Sequence, residues 1–255
     1  MNAPAQHREP AGLDPALGED AACATAARLP DAGALAALAH QGHALIPRSA
    51  LDRAACTALP NLYDQPQWFR SRVIMERHGF GRGQYQYFDR PLPPLIAMLR
   101  TQGYQRLFAT ANAWHRALAI DDRFDAEYDD FLARCHAGGQ HRPTPLLLRY
   151  GPGDENRLHQ DLYGEHVFPL QIAVLLSRPG HDFEGGEFVL TEQRPRQQSR
   201  VHVAALGQGD AIVFPVRFRP VRGARGYYRA VVRHGVSVVR RGQRHVLGII
   251  FHDAA

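Results

Sequence analysis

The chain has 255 residues, 45% of them hydrophobic and 22% charged, with a mean hydropathy of -0.34. That balance excludes collagen-like, coiled-coil and wholly disordered polymers and fits one large domain or a domain with a helical extension. No apolar run reaches the ~18–20 residues of a membrane span. Arg8, Glu9 and Asp14 interrupt the apolar stretch that a secretory leader needs, and Cys23, Cys56 and Cys135 form no CxxC pair. The expectation is a cytoplasmic protein with no disulfide framework and no membrane partner.

Residues 1–32 are rich in Ala, Pro, Gly and Asp and lack periodic hydrophobicity, which predicts a disordered tail. Residues 33–142 are expected to form an N-terminal extension of helices and strands that includes a substrate lid. Within it Leu35, Leu38 and Ala39 have helical spacing, His43 to Pro47 suits a short strand, and Ser49-Ala-Leu-Asp52 offers a capping start for a helix through Leu59. A second helix is predicted from about Pro93 to Leu118, broken near Gly103. A third, from Asp121 to His136, spaces Phe124, Tyr128, Phe131 and Cys135 by threes and fours.

From Pro145 the hydrophobic period falls from near 3.6 to 2. Eight runs are predicted as strands: Leu146–Tyr150, Leu158–Tyr163, Leu170–Ser177, Glu187–Thr191, Val201–Leu206, Ala211–Pro215, Tyr228–Val239 and Arg244–His252. Short strands without intervening helices specify a mainly β jelly roll or barrel over 143–255, with the preceding helices packed on one sheet.

His159-Gln160-Asp161 falls inside one predicted strand, where residues two apart share a face. A third ligand has to come from a neighbouring strand, and His234 stands 73 residues after Asp161. Two imidazoles and one carboxylate with open positions are the ligand set of non-haem Fe(II) oxygenases. Arg244 opens the last strand ten residues after His234. A guanidinium inside a barrel requires an anion, and a dicarboxylate supplies one in bidentate geometry; the plainer alternative is an exposed arginine at a strand start.

Taken together, Tyr150-Gly-Pro-Gly153, Leu158-His-Gln-Asp161, Gly185-Gly-Glu187, Gly209-Asp-Ala-Ile-Val-Phe214, His234 and Arg244 resemble the Fe(II)/2-oxoglutarate-dependent dioxygenases. The resemblance covers Pro145 to the C-terminus and, more loosely, the segment from Ala34. It implies a double-stranded β-helix holding Fe(II) through His159, Asp161 and His234, with 2-oxoglutarate held by Arg244 and assisted by Tyr150. Its cofactors would be Fe(II), 2-oxoglutarate and O2, with ascorbate a candidate reductant.

Two kinds of relative imply two kinds of substrate. The run Arg149–Asp161 is similar to alkylation-repair dioxygenases of the AlkB type, and the whole chain resembles a bacterial oxygenase family that oxidatively demethylates damaged nucleic acid. The ten-residue gap from His234 to Arg244 and the ending Arg244–Asp253 look more like prolyl hydroxylases. Repair enzymes carry Asn and Arg where this chain has Val246 and Ile250.

The net charge of +5 and pI near 9.4 invite nucleic acid. All thirty basic residues are arginine and none is lysine, however, so placement matters more than number. Arginines alternate with aromatics over 70–88, where Arg77, Arg82, Tyr85 and Tyr87 are the candidate substrate residues, and again over 217–229. A solvated arginine face is the alternative for both clusters. The substrate is nucleic acid or protein, and a non-catalytic cupin-like binding module is the competing class.

Overall fold

The computed structural model describes residues 13–18, 30–47 and 51–255. After a single turn at Pro15–Leu17 come helix α1 (Ala32–Gln41), strand β1 (Ala44–Ile46) and helix α2 (Arg53–Asn61). Strands β2 (Phe69–Ile74), β3 (Gly81–Arg82) and β4 (Gln84–Phe88) then precede helices α3 (Pro94–Ala117) and α4 (Tyr128–Ala137). The rest is strand: β5 (Leu146–Tyr150), β6 (Glu155–His159), β7 (Leu170–Leu175), β8 (Phe183–Gly185), β9 (Phe188–Gln193), β10 (Arg200–Ala204), β11 (Ala211–Pro215), β12 (Phe218–Gly223), β13 (Gly226–Val236), β14 (Val239–Gly242) and β15 (Arg244–Ile250).

These strands build two large antiparallel sheets. The first has seven strands in the order β1-β11-β7-β15-β5-β4-β2. The second runs β10-β9-β13-β6-β3 with β12 added on β13, and β14 and β8 form a small separate pair. Alternation along the central strands explains how the layers stack. Ile172, Val174, Leu247 and Ile249 point to the helices and meet Leu99, Tyr104, Leu107 and Phe131. Ala173, Leu175 and Val246 point the other way, into a second core with Leu190, Phe214 and Val232. This is the jelly roll with helices on one sheet that the strand pattern predicts.

Local chemistry sets the helix ends. Asp31 and Asp52 cap α1 and α2 by accepting the backbone N–H of Ala34 and Ala55, each at 2.8 Å; Ser49 lies outside the described residues. Helix α3 continues through Gly103, because the Phe251 ring packs there and a Cβ would lie 3.0 Å from it. Helix α4 begins at Tyr128 rather than Asp121, since Phe124 is drawn into the core by hydrogen bonds of its backbone to the Asn112 side chain.

Two further expectations change. Residues 13–18, assigned by composition to a mobile tail, pack instead: Asp14 caps a turn that seats Leu17, fully buried, in the core. One leucine anchor is invisible to an average over composition. At its other end 30–32 lead into α1, with Asp31 as the cap, and 1–12 and 19–29 lie outside the described residues. Strand β6 ends at His159, so Asp161 stands in the loop beyond it.

Candidate metal centre

Antiparallel pairing brings the two histidines together, for His159 on β6 lies opposite His234 on β13. Their ring centroids are 4.2 Å apart. The pairing shifts register just after His234, at Gly235, where a Cβ would sit 2.6 Å from the Asn156 carbonyl oxygen. Only glycine allows β13 to approach β6 this closely.

Asp161 reaches the same point from the loop. Its backbone is held by Gln160, whose side-chain amide donates to the carbonyls of Arg217 and Val232, both at 2.8 Å. The carboxylate then lies with Oδ2 3.3 Å from His234 Nε2 and Oδ1 3.6 Å from His159 Nε2. One donor atom from each of the three residues falls within 4.8 Å of the others. A single ion with bonds of ~2.0–2.2 Å fits such a set.

Protonation favours a cation there. His159 Nδ1 lies 2.7 Å from the Arg157 carbonyl and donates its proton to it, which leaves the Nε2 lone pair facing the cluster. Burial, and then the neighbouring His234, lowers the His159 pKa below 6.5, so the ring is neutral at neutral pH. Burial alone would raise the Asp161 pKa. His234, His159 and the Tyr163 hydroxyl, which donates to Oδ1 at 2.7 Å, outweigh it and hold the carboxylate well below its usual range. A neutral imidazole beside an ionised carboxylate is the state that binds a divalent metal.

Arg244, the first residue of β15, pairs across to Tyr150 on β5 and is only 2% exposed. Its Nε and Nη1 are buried without a hydrogen-bond partner among the described residues. The guanidinium carbon lies 5.6 Å from the Tyr150 ring centroid and 5.8 Å from that of Phe183. Gly186 gives it passage: a Cβ there would stand 2.8 Å from Arg244 Cδ. Burial lowers the Arg244 pKa to about 10, which leaves it charged at neutral pH. Tyr150 is fully buried, and its hydroxyl accepts from Asn156 at 3.4 Å.

A cavity of about 300 Å³ is lined by the three clustered residues, Tyr150, Arg244 and an apolar wall that includes Leu148, Val246 and Ile250. Its size lies at the small end of the range for ligand sites. An unpaired buried cation at one end and three metal-ready donors in the same cavity fit a small dicarboxylate and a divalent ion.

Of the candidate substrate residues, Tyr85 lines this cavity. Tyr87, on the same face of β4, is buried behind it, edge-on to both Tyr85 and Tyr163. Arg77 and Arg82 are exposed and do not line the cavity. Most of the 217–229 cluster lies on the β12–β13 hairpin, and Arg219 is buried in an ion pair with Glu192 at 2.6 Å. Sequence reasoning missed Tyr163, Gln160 and Asn156. Tyrosine reads there as an ordinary strand former, and amides carry no charge signal.

Comparison with known proteins agrees with this architecture. Residues 83–254, about two thirds of the chain, match a family of oxygenases described as catalysing oxidative methylation of damaged DNA. The chain belongs to this oxygenase family. Two uncharacterized proteins of Mycobacterium tuberculosis, from strains CDC 1551 / Oshkosh and ATCC 25618 / H37Rv, are each 50% identical over 168 residues, covering 66% of this chain and 72% of theirs.

Among solved structures, a 2OG-Fe(II) oxygenase family oxidoreductase from Burkholderia pseudomallei superposes with a TM-score of 0.51 at 18% identity, covering 89% of this chain and 96% of that one. A Trichoplax adhaerens prolyl hydroxylase, in complex with a hypoxia inducible factor oxygen degradation domain peptide fragment, gives 0.53 at 14% identity, covering 86% and 87%. This oxygenase therefore shares the fold of 2OG-Fe(II) enzymes. Among the described residues no helix is long and apolar enough to cross a membrane.

Proposed function

We propose that this oxygenase is an Fe(II)- and 2-oxoglutarate-dependent dioxygenase that hydroxylates a C–H bond of damaged nucleic acid, and that hydroxylation of an N-methyl carbon leads to loss of that methyl group. The observation that carries the reading is the His159–Asp161–His234 cluster in one cavity with the unpaired Arg244. Fe(II) bound there, with 2-oxoglutarate and O2, supplies the oxidising chemistry, in which the keto acid becomes succinate and CO2 and one oxygen atom enters the substrate.

The chain's own residues bind, orient and exclude. His159, Asp161 and His234 would hold the ion and leave some of its coordination positions free. Arg244 takes the far carboxylate of 2-oxoglutarate in a charge-assisted pair, with Tyr150 beside it. Leu148, Val246 and Ile250 keep water from the ion. At the mouth, Phe80 is 47% exposed and stacked on His78, a platform on which an extruded base can lie.

A second reading, a protein hydroxylase, is favoured by Val246 and Ile250, which put apolar side chains on the cavity wall where repair enzymes carry Asn and Arg. The test is succinate formed from 2-oxoglutarate by Fe(II)-loaded protein. His159→Ala, Asp161→Ala and His234→Ala are each expected to abolish it, and equal activity in any one removes that residue from the ligand set. Binding to methylated oligonucleotides that weakens steeply with salt supports nucleic acid; binding indifferent to salt favours the peptide reading.

A further inference from the structure

Asp161 presents a mechanical problem, because it stands beyond the end of β6 and its terminal torsion is a soft, roughly two-fold one. Backbone placement by Gln160 therefore does not decide how the carboxylate is turned. The Tyr163 hydroxyl does: it donates to Oδ1 at 2.7 Å while Oδ2 faces His234 Nε2 at 3.3 Å.

The tyrosine is itself braced. Its ring meets that of Tyr87 edge-on at 6.1 Å, and Tyr87 meets Tyr85 in the same way at 5.3 Å. Tyr87 is 8% exposed, and the Arg70 guanidinium covers its ring at 4.4 Å from the centroid.

The Tyr163 hydroxyl has one proton, and an ionised carboxylate only accepts, which commits that proton to Asp161. Packed rings from β4 and the loop after β6 thus fix the donor to Oδ1, which leaves Oδ2 toward His234.

We propose that Tyr163 is a positioning residue of the metal centre: its hydroxyl, on a ring braced by those of Tyr87 and Tyr85, sets the rotation of the Asp161 carboxylate. The proposal rests on the metal-centre reading above and adds to it a residue that never touches the ion. Partners that orient a ligating group typically change metal affinity ~10–100-fold when removed.

The experiment is Co(II) titration of the full chain, followed by visible absorption, with thermal midpoints measured in parallel without metal. Tyr163→Phe is expected to weaken Co(II) binding about 10-fold or more and to alter the absorption spectrum, with little change in the midpoint. Tyr87→Leu, which removes the ring that braces Tyr163, is expected to give a smaller loss in the same direction. Unchanged affinity and spectrum in folded Tyr163→Phe overturns the proposal. Should that variant not fold, unchanged affinity in folded Tyr87→Leu overturns it instead. If the wild type binds Co(II) no better than His234→Ala, the metal-centre reading falls and the proposal with it, whereas tight wild-type binding indifferent to Tyr163 sinks the proposal alone.

Discussion

In the seven-stranded sheet β7 buries all six of its residues and β15 six of seven; in the other sheet β10 leaves four of five exposed and β6 buries none fully. The first sheet is covered on one face by helices and on the other by its partner, so its middle strands are apolar on both sides. The second is covered on one face only, and its inner face carries the polar cluster. Stability and ligand donors are thus separated in space, and the polar residues that the apolar sheet contributes to the cavity are Arg244 on β15, Tyr150 on β5, Gln171 on β7 and Tyr85 on β4.

A paired substitution tests that separation most strongly. His234→Ala is expected to eliminate turnover with a stability change within ~1 kcal/mol, since His234 belongs to neither apolar core. Leu247→Ala, fully buried in the middle of the apolar sheet, is expected to cost ~2–5 kcal/mol in urea denaturation while Co(II) still binds. Comparable stability losses in the two variants would erase the distinction.

Acid attacks the apolar sheet through its histidines. His245, in β15, is pulled down to about 4 by burial and then by Arg149; His252, just beyond the strand, is pulled down to about 3 by burial and then by Arg100. Both stay neutral in the fold below pH 6.5, where the unfolded chain takes up protons, so stability is full above 6.5 and falls as the pH drops toward those values. The expected slope is ~1.4 kcal/mol per pH unit for each histidine. Urea midpoints at pH 7 and 5.5 measure it, and His252→Asn is expected to remove about half.

The smallest expected effect has an informative sign. Arg244→Met replaces an unpaired buried cation with an apolar side chain of similar length, so stability is expected to rise by on the order of 1 kcal/mol. The KM for 2-oxoglutarate is expected to rise as well, with metal still bound. A variant that loses stability in urea denaturation would show that Arg244 holds the sheet together.

Much of this division was legible in the sequence, for physical reasons. Leu170–Leu175 is close to a continuous apolar run, and a strand buried on both faces requires one. His159, Asp161 and His234 stood out because their chemistry and spacing suit one ion. What escaped was whatever depends on a partner far along the chain. Arg100 sits in α3 like a solvated arginine, yet it is buried against Asp253 at 2.7 Å, a pairing across 153 residues that no local period shows. Tyr163 escaped for the same reason, since its meaning lies in what its hydroxyl touches. Asp161 was assigned to a strand interior because alternation continues through Tyr163, whereas the backbone pairing stops at His159.

The sealed guanidinium of Arg244 has a practical corollary. A cation in a low-dielectric cleft, charged at neutral pH, attracts compact carboxylates without regard to their metabolic identity. Citrate, malonate or succinate left from purification would settle against it and masquerade as inhibitors, so preparation in carboxylate-free buffer is the natural baseline for this molecule.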